Sequence, residues 1–173
     1  MRYGTYMGLF WVVKFLLLLA GLHSGSIGMI ALACFVFFGA TVAVPVVAYF
    51  MARAYRTQYC GGYIHFTSAW VFTTFLYIFA SLFAAAGHYI YFQFFDQGFF
   101  FDLYFHYMET SGMSKDPEVR PLLEQLQQLL PTLTPIKLVV QFLSSNILYG
   151  AMQSVVIALF VARRPRPLSG LRP

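Results

Sequence analysis

Acidic side chains are scarce in this chain and confined to one stretch: Asp96, Asp102, Glu109, Asp116, Glu118 and Glu124 are all that 173 residues contain. No long apolar run therefore holds a carboxylate, which excludes proton coupling through an intramembrane acid. Charge of either sign is also sparse, 10% of residues, where a soluble domain averages about 25%. A chain 60% hydrophobic could not cover a water-facing surface with polar groups. Cysteine is limited to Cys34, inside an apolar run, and Cys60, beside a basic turn, so no disulfide is expected. No CxxC or Cys/His metal spacing occurs, nor any GxGxxG, Walker A, HExxH or GxSxG. The net charge of +5 invites a nucleic-acid partner. The basic residues, however, sit at the ends of apolar runs with no clustered stripe, so none is expected.

What is abundant is apolar length. The chain suits one domain, 1–173, of four spans of about 20 residues each plus one sizeable loop. Spans are expected at about 3–22, 29–51, 67–95 and 136–161. The first, roughly 30 Å as a helix, is read as a span and not as a signal peptide. Residues 10–13 are already apolar, and no A-x-A-like cleavage site follows at 23–28. Pro45 is expected to kink the second span and free a carbonyl. Gly4 with Gly8, and Gly39 with Ala43, form small-xxx-small pairs that let helices approach closely in lipid. Residues 52–64, with Arg53 and Arg56, read as a turn broken at Gly61-Gly62. The third span, about 43 Å if wholly helical, ends in the aromatic run 88–95, a composition typical of the membrane interface.

An extracytoplasmic insert at about 96–135 separates spans three and four. Within it, 99–108 reads as a short aromatic helix on the membrane surface, with Asp102, His106 and Glu109 on one face. A second helix begins at Asp116-Pro117 or at Pro121. Leu122, Leu123, Leu126, Leu129 and Leu130 line one side of it, and Glu124, Gln125, Gln127 and Gln128 the other. Pro131 closes it, and its leucine face is expected to cover the outer face of the spans. Thr134-Pro135 starts span four, along which Asn146, Gly150, Gln153 and Ser154 form a polar, small-residue seam. The expected fold is all-α: an integral membrane four-helix bundle with two short amphipathic helices between spans three and four.

Arginines set the orientation. Arg2, Arg53, Arg56, Arg163, Arg164, Arg166 and Arg172 fall on one side, against Lys115 and Arg120 on the other with Lys137 at the membrane edge. The positive-inside bias then places both termini in the cytoplasm.

Among polar residues, Lys14 stands out. An ammonium near mid-span costs about 2.5–3.5 kcal/mol on insertion scales, and its expected partners are Asn146, Gln153 or carbonyls freed by Pro45. It is either an anion or lipid-phosphate contact or a lysine hydrogen-bonded within the bundle or reaching an interface. Asp102, His106 and Glu109, with Asp96 and His88 near in sequence, are the one gathering of metal-ligand types, but a wet polar face on an interfacial helix explains them better. No metal, cofactor or catalytic residue is assigned.

The start Tyr3-Gly4-x-x-x-Gly8, the stretch 62–95 ending in Phe95-Asp96, and the loop Met108-Glu109-Thr110-Ser111-Gly112-Met113-Ser114 belong together. With Ile147-Leu148-Tyr149-Gly150-Ala151-x-x-Ser154 before the closing arginines, they resemble a family of small bacterial four-span membrane proteins known as a domain of unknown function. That family often follows the aspartate with proline, whereas Gln97-Gly98 follows here. The resemblance implies the architecture and supplies no activity.

The leading functional expectation is a non-catalytic accessory or scaffold protein that is not an enzyme. It would bind a membrane partner or lipid through the aromatic belt and the leucine face, with a homo-oligomer as one form of partner. The alternative is a small transporter or channel for a solute or anion using Lys14 and the span-four seam. A membrane enzyme working through Asp96, Asp102 and His106 ranks last.

Overall fold

The computed structural model describes residues 2–96, 98–112, 116–129 and 134–163. Among these the chain is all-helical: α1 (Arg2–Leu22), α2 (Ile27–Tyr59), α3 (Phe66–Phe94), α4 (Phe99–Thr110), α5 (Arg120–Leu129) and α6 (Pro135–Val161). Four of them, α1, α2, α3 and α6, are long and apolar enough to cross a membrane, so the chain is a four-span membrane protein. The described residues fall into two compact units. One is drawn from 1–84 and 143–173, the other from 85–142, and α3 and α6 contribute to both.

Helices of the first unit approach through glycine. A Cβ added at Gly4 would stand 2.7 Å from Phe79 Cβ, and one at Gly8 would stand 2.5 Å from Phe83 Cβ, so α1 lies directly on α3. Gly150 of α6 meets Tyr77 in the same way at 2.6 Å, and Gly21 of α1 meets Ala33 of α2. Small side chains do what bulk cannot here, since lipid offers no hydrophobic drive for helix association. Met7, Ala48, Ala69, Ala80, Ala158 and Val161 are essentially inaccessible within this packing.

The second span corrects the sequence reading. Residues 52–64 are not one turn: α2 continues unbroken through Pro45 to Tyr59, about 50 Å. Ala52 and Arg56 on its last turns are buried, and this packing holds the end helical where two arginines suggested a loop. The reversal is compressed into Cys60–His65, where Gly61 (φ 61°) and Gly62 (φ 92°) take left-handed backbone that L side chains avoid. Arg56 Nη1 donates to the Val161 carbonyl at 2.8 Å. This caps the last turn of α6 with a cation where the helix dipole favours one. Beside it, Ile64 and Arg163 exchange two backbone hydrogen bonds, 3.2 and 3.0 Å. The Tyr3 hydroxyl reaches Gln58 at 2.8 Å. The start of α1, the α2–α3 turn and the end of α6 therefore lie together at one end of this unit.

In the second unit, α3 gives way to α4 at Asp96. Its carboxylate accepts the Phe100 N–H at 3.1 Å, and the buried Tyr91 phenol lies against it. Phe92, Phe100 and Phe142 pack ring to ring. Of the two starts weighed for the second amphipathic helix, Pro121 falls within one residue of the observed start and Asp116-Pro117 does not begin the helix. Asp116 closes a turn by accepting the Glu118 N–H at 2.9 Å, and α5 begins at Arg120. Leu123 is its buried residue, lining a cleft of about 160 Å³ with Phe105 and Met108 of α4. Leu122, Leu126 and Leu129 are exposed, so of the described leucines on this face Leu123 alone is buried. Leu130 and Pro131, like Lys115, Arg164, Arg166 and Arg172, lie outside the described residues.

Candidate functional site

An apolar bundle shows its options through the few polar groups it holds at depth, and here these divide into two kinds. The first kind is consumed by packing. Tyr77 of α3 donates its hydroxyl to Gln153 of α6 at 2.8 Å, directly beside the Gly150 contact. Ser154 turns its hydroxyl back to the Gly150 carbonyl, 2.7 Å, while Thr73 and Ser81 bond carbonyls of their own helix. The seam expected along span four is thus an interhelical junction with Tyr77. Asn146 lies half-buried on the same helix.

Lys14 is the second kind. It is half-buried on α1 and donates to Thr41 Oγ1 on α2 at 3.0 Å. Its ammonium also sits 4.5 Å from the Phe37 ring centroid and 6.0 Å from that of Trp11, within the reach of cation–π attraction. Thr41 hands its own proton to the Phe37 carbonyl, 2.7 Å, which leaves its oxygen free to accept from Lys14. The expected partners Asn146 and Gln153 are not the ones found, because Gln153 is engaged by Tyr77. The expectation of a carbonyl freed by Pro45 falls on the right residue and the wrong atom. Pro45 has no N–H to give the carbonyl of Thr41, four residues back, but the bond recorded runs to the Thr41 hydroxyl.

The residues gathered by sequence in the insert do not converge. Asp96 is buried and works as the joint between α3 and α4. Asp102, His106 and Glu109 are exposed along α4. Among the described residues no group of three or more His, Cys, Asp or Glu is placed to hold a metal ion. The ion pair in this region, Arg120 with Glu124 at 2.9 Å, is exposed and stabilises α5 by only a few tenths of a kcal/mol (about 0.3–0.5).

Three participants escaped the sequence reading. Arg56 resembled any interfacial arginine, because nothing in its spacing reveals a partner carbonyl 105 positions away. Thr41 was masked by its apolar surroundings, although its place four residues before Pro45 was a usable signal. The third is a cavity of about 440 Å³ lined by His65 and Thr67, at the start of α3, and by Leu159 and Arg163, at and just beyond the end of α6. The Ile64–Arg163 pairing brings these together, beside the Arg56–Val161 bond.

A protein-family model described as Protein of unknown function (DUF4199) matches residues 2–163. No curated protein and no solved structure matches the chain.

Proposed function

The chain belongs to the DUF4199 family of proteins of unknown function, a membership that supplies no activity, and we propose that it is a non-catalytic accessory or scaffold protein of a bacterial inner membrane. Both termini are cytoplasmic, as the arginine bias requires, and the insert lies on the opposite side. The observation that carries the reading is the uncovered apolar row on the insert. Leu122, Leu126 and Leu129 of α5 are exposed, as are Tyr104 and Tyr107 of α4. Each such leucine gains about 1.5–3 kcal/mol when fully buried, so the row has a strong drive to be covered at the membrane surface, and a membrane protein is the cover this reading assigns. The deep polar groups support the same reading. Gln153 and Ser154, which a solute path would have used, are engaged in helix packing.

A photo-crosslinking residue placed at Leu126 in native membranes tests this. The expected result is a recurring adduct with one membrane protein. Adducts with lipid alone, or the protein repeatedly recovered by itself, would refute it.

A further inference from the structure

Lys14 carries a charge that nothing else in the spans answers. It lies about 18 Å along α1 from Arg2 and about 12 Å from Leu22. Its bond to Thr41, itself about 21 Å along α2 from Ile27, holds the ammonium at mid-depth and does not let it rise to an interface. An ammonium has three N–H donors. The Thr41 hydroxyl takes one, and the Phe37 ring faces the charge. No further acceptor for it is found among the described residues.

The possible sources of a counter-charge can be sorted by depth and by sequence. All six carboxylates lie between 96 and 124, outside every span, so a second copy of this chain brings none to this level. A lipid phosphate sits at the edge of a hydrocarbon core about 30 Å thick, too far from a cation held at its middle. The surface itself is open. Thr41 is exposed, and α2 buries the smallest share of its apolar window, 11% against 28–39% for the other three spans. Among α2's large side chains Phe35, Phe38 and Val42 stand outside the packing.

We propose that the Lys14–Thr41 edge of α1 and α2 docks a transmembrane helix of a different protein that carries an aspartate or glutamate at mid-depth. This rests on the accessory reading in requiring a membrane-protein partner, but it uses a different surface from the leucine row of the insert. Apolar contact along α2 supplies the area, and the carboxylate meeting Lys14 sets partner and depth.

The test uses the full-length protein in lipid vesicles and a synthetic polyleucine helix with a single central Glu, compared with the same helix carrying Gln, association being read by energy transfer. The Glu helix should bind about tenfold more tightly than the Gln helix, the scale of one interhelical polar contact in lipid. That preference should vanish in Lys14→Met and survive in Lys14→Arg. Equal binding of the two helices, no binding, or a Glu preference that persists in Lys14→Met would overturn the proposal. The Glu–Gln comparison on the wild-type protein decides the matter even where Lys14→Met fails to fold. If Leu126 cross-links a partner while the Glu helix shows no preference, this site is refuted and the accessory reading stands. The reverse outcome refutes the role given to the insert and keeps this site.

Discussion

Glycine shows how the same residue pattern acquires opposite meanings. Gly4 with Gly8 and Gly39 with Ala43 are indistinguishable as sequence, yet Gly8 is pressed on Phe83 whereas a Cβ at Gly39 would meet nothing within 4 Å. Gly8→Ala should therefore force apart α1 and α3 at a cost of about 1–3 kcal/mol. Gly150→Ala, against Tyr77, should behave alike. Gly39→Ala should be neutral or stabilising by up to about 1 kcal/mol, since alanine favours the helix. Thermal unfolding in detergent with the three variants side by side checks this, and equal losses would mean that α2 has a neighbour where none is described. The Tyr77–Gln153 bond is tested separately by a double-mutant cycle of Tyr77→Phe and Gln153→Leu. Its coupling should be about 0.6 kcal/mol and not above about 1.7, the range of hydrogen bonds between helices in lipid.

At the scale of helices, the spans were legible because a run of about 20 apolar residues has few other uses, and the Thr134-Pro135 start of α6 was readable from cap chemistry alone. The end of α2 was not. Arg53 and Arg56 looked like solvated turn residues because charge near a span end is ordinary, whereas the burial of Ala52 and Arg56, with the Arg56–Val161 bond, helps to hold the extra turns helical. The site was legible in part for a similar reason. An unpaired lysine in a span is visible at once, whereas its partner depends on which helix lies beside it. Arg56→Ala should lose the charged cap, about 1.5–3 kcal/mol, and loosen what is built on it. Amide exchange should then accelerate at Ile64 and Arg163, whose N–H groups bond each other's carbonyls, while amides in the middle of α3 keep their protection. Exchange unchanged at both residues would show that the bridge stands without the arginine.

For the whole molecule, the question is which way the spans run. Tyr3 bonds Gln58, and Ile64 pairs with Arg163, so the beginning of α1, the α2–α3 turn and the end of α6 share one end of their unit, as four crossings demand. The described arginines there are Arg2, Arg53, Arg56 and Arg163, and the orientation proposed above from the arginine bias puts that end inside. Cys60 is a native reporter, half-buried in the α2–α3 turn and not in a disulfide. With Cys34 replaced by alanine, a membrane-impermeant maleimide added to intact cells should leave Cys60 unmodified and should label it in inverted vesicles. In a chain lacking both native cysteines, Glu118→Cys, at an exposed position in the turn before α5, should show the opposite pattern. Because one span, α3, separates the two reporters along the chain, the proposed topology requires that they exchange sides together. Labelling of Cys60 from outside with Glu118→Cys protected would invert the protein, and labelling of both from one side would mean that α3 does not cross.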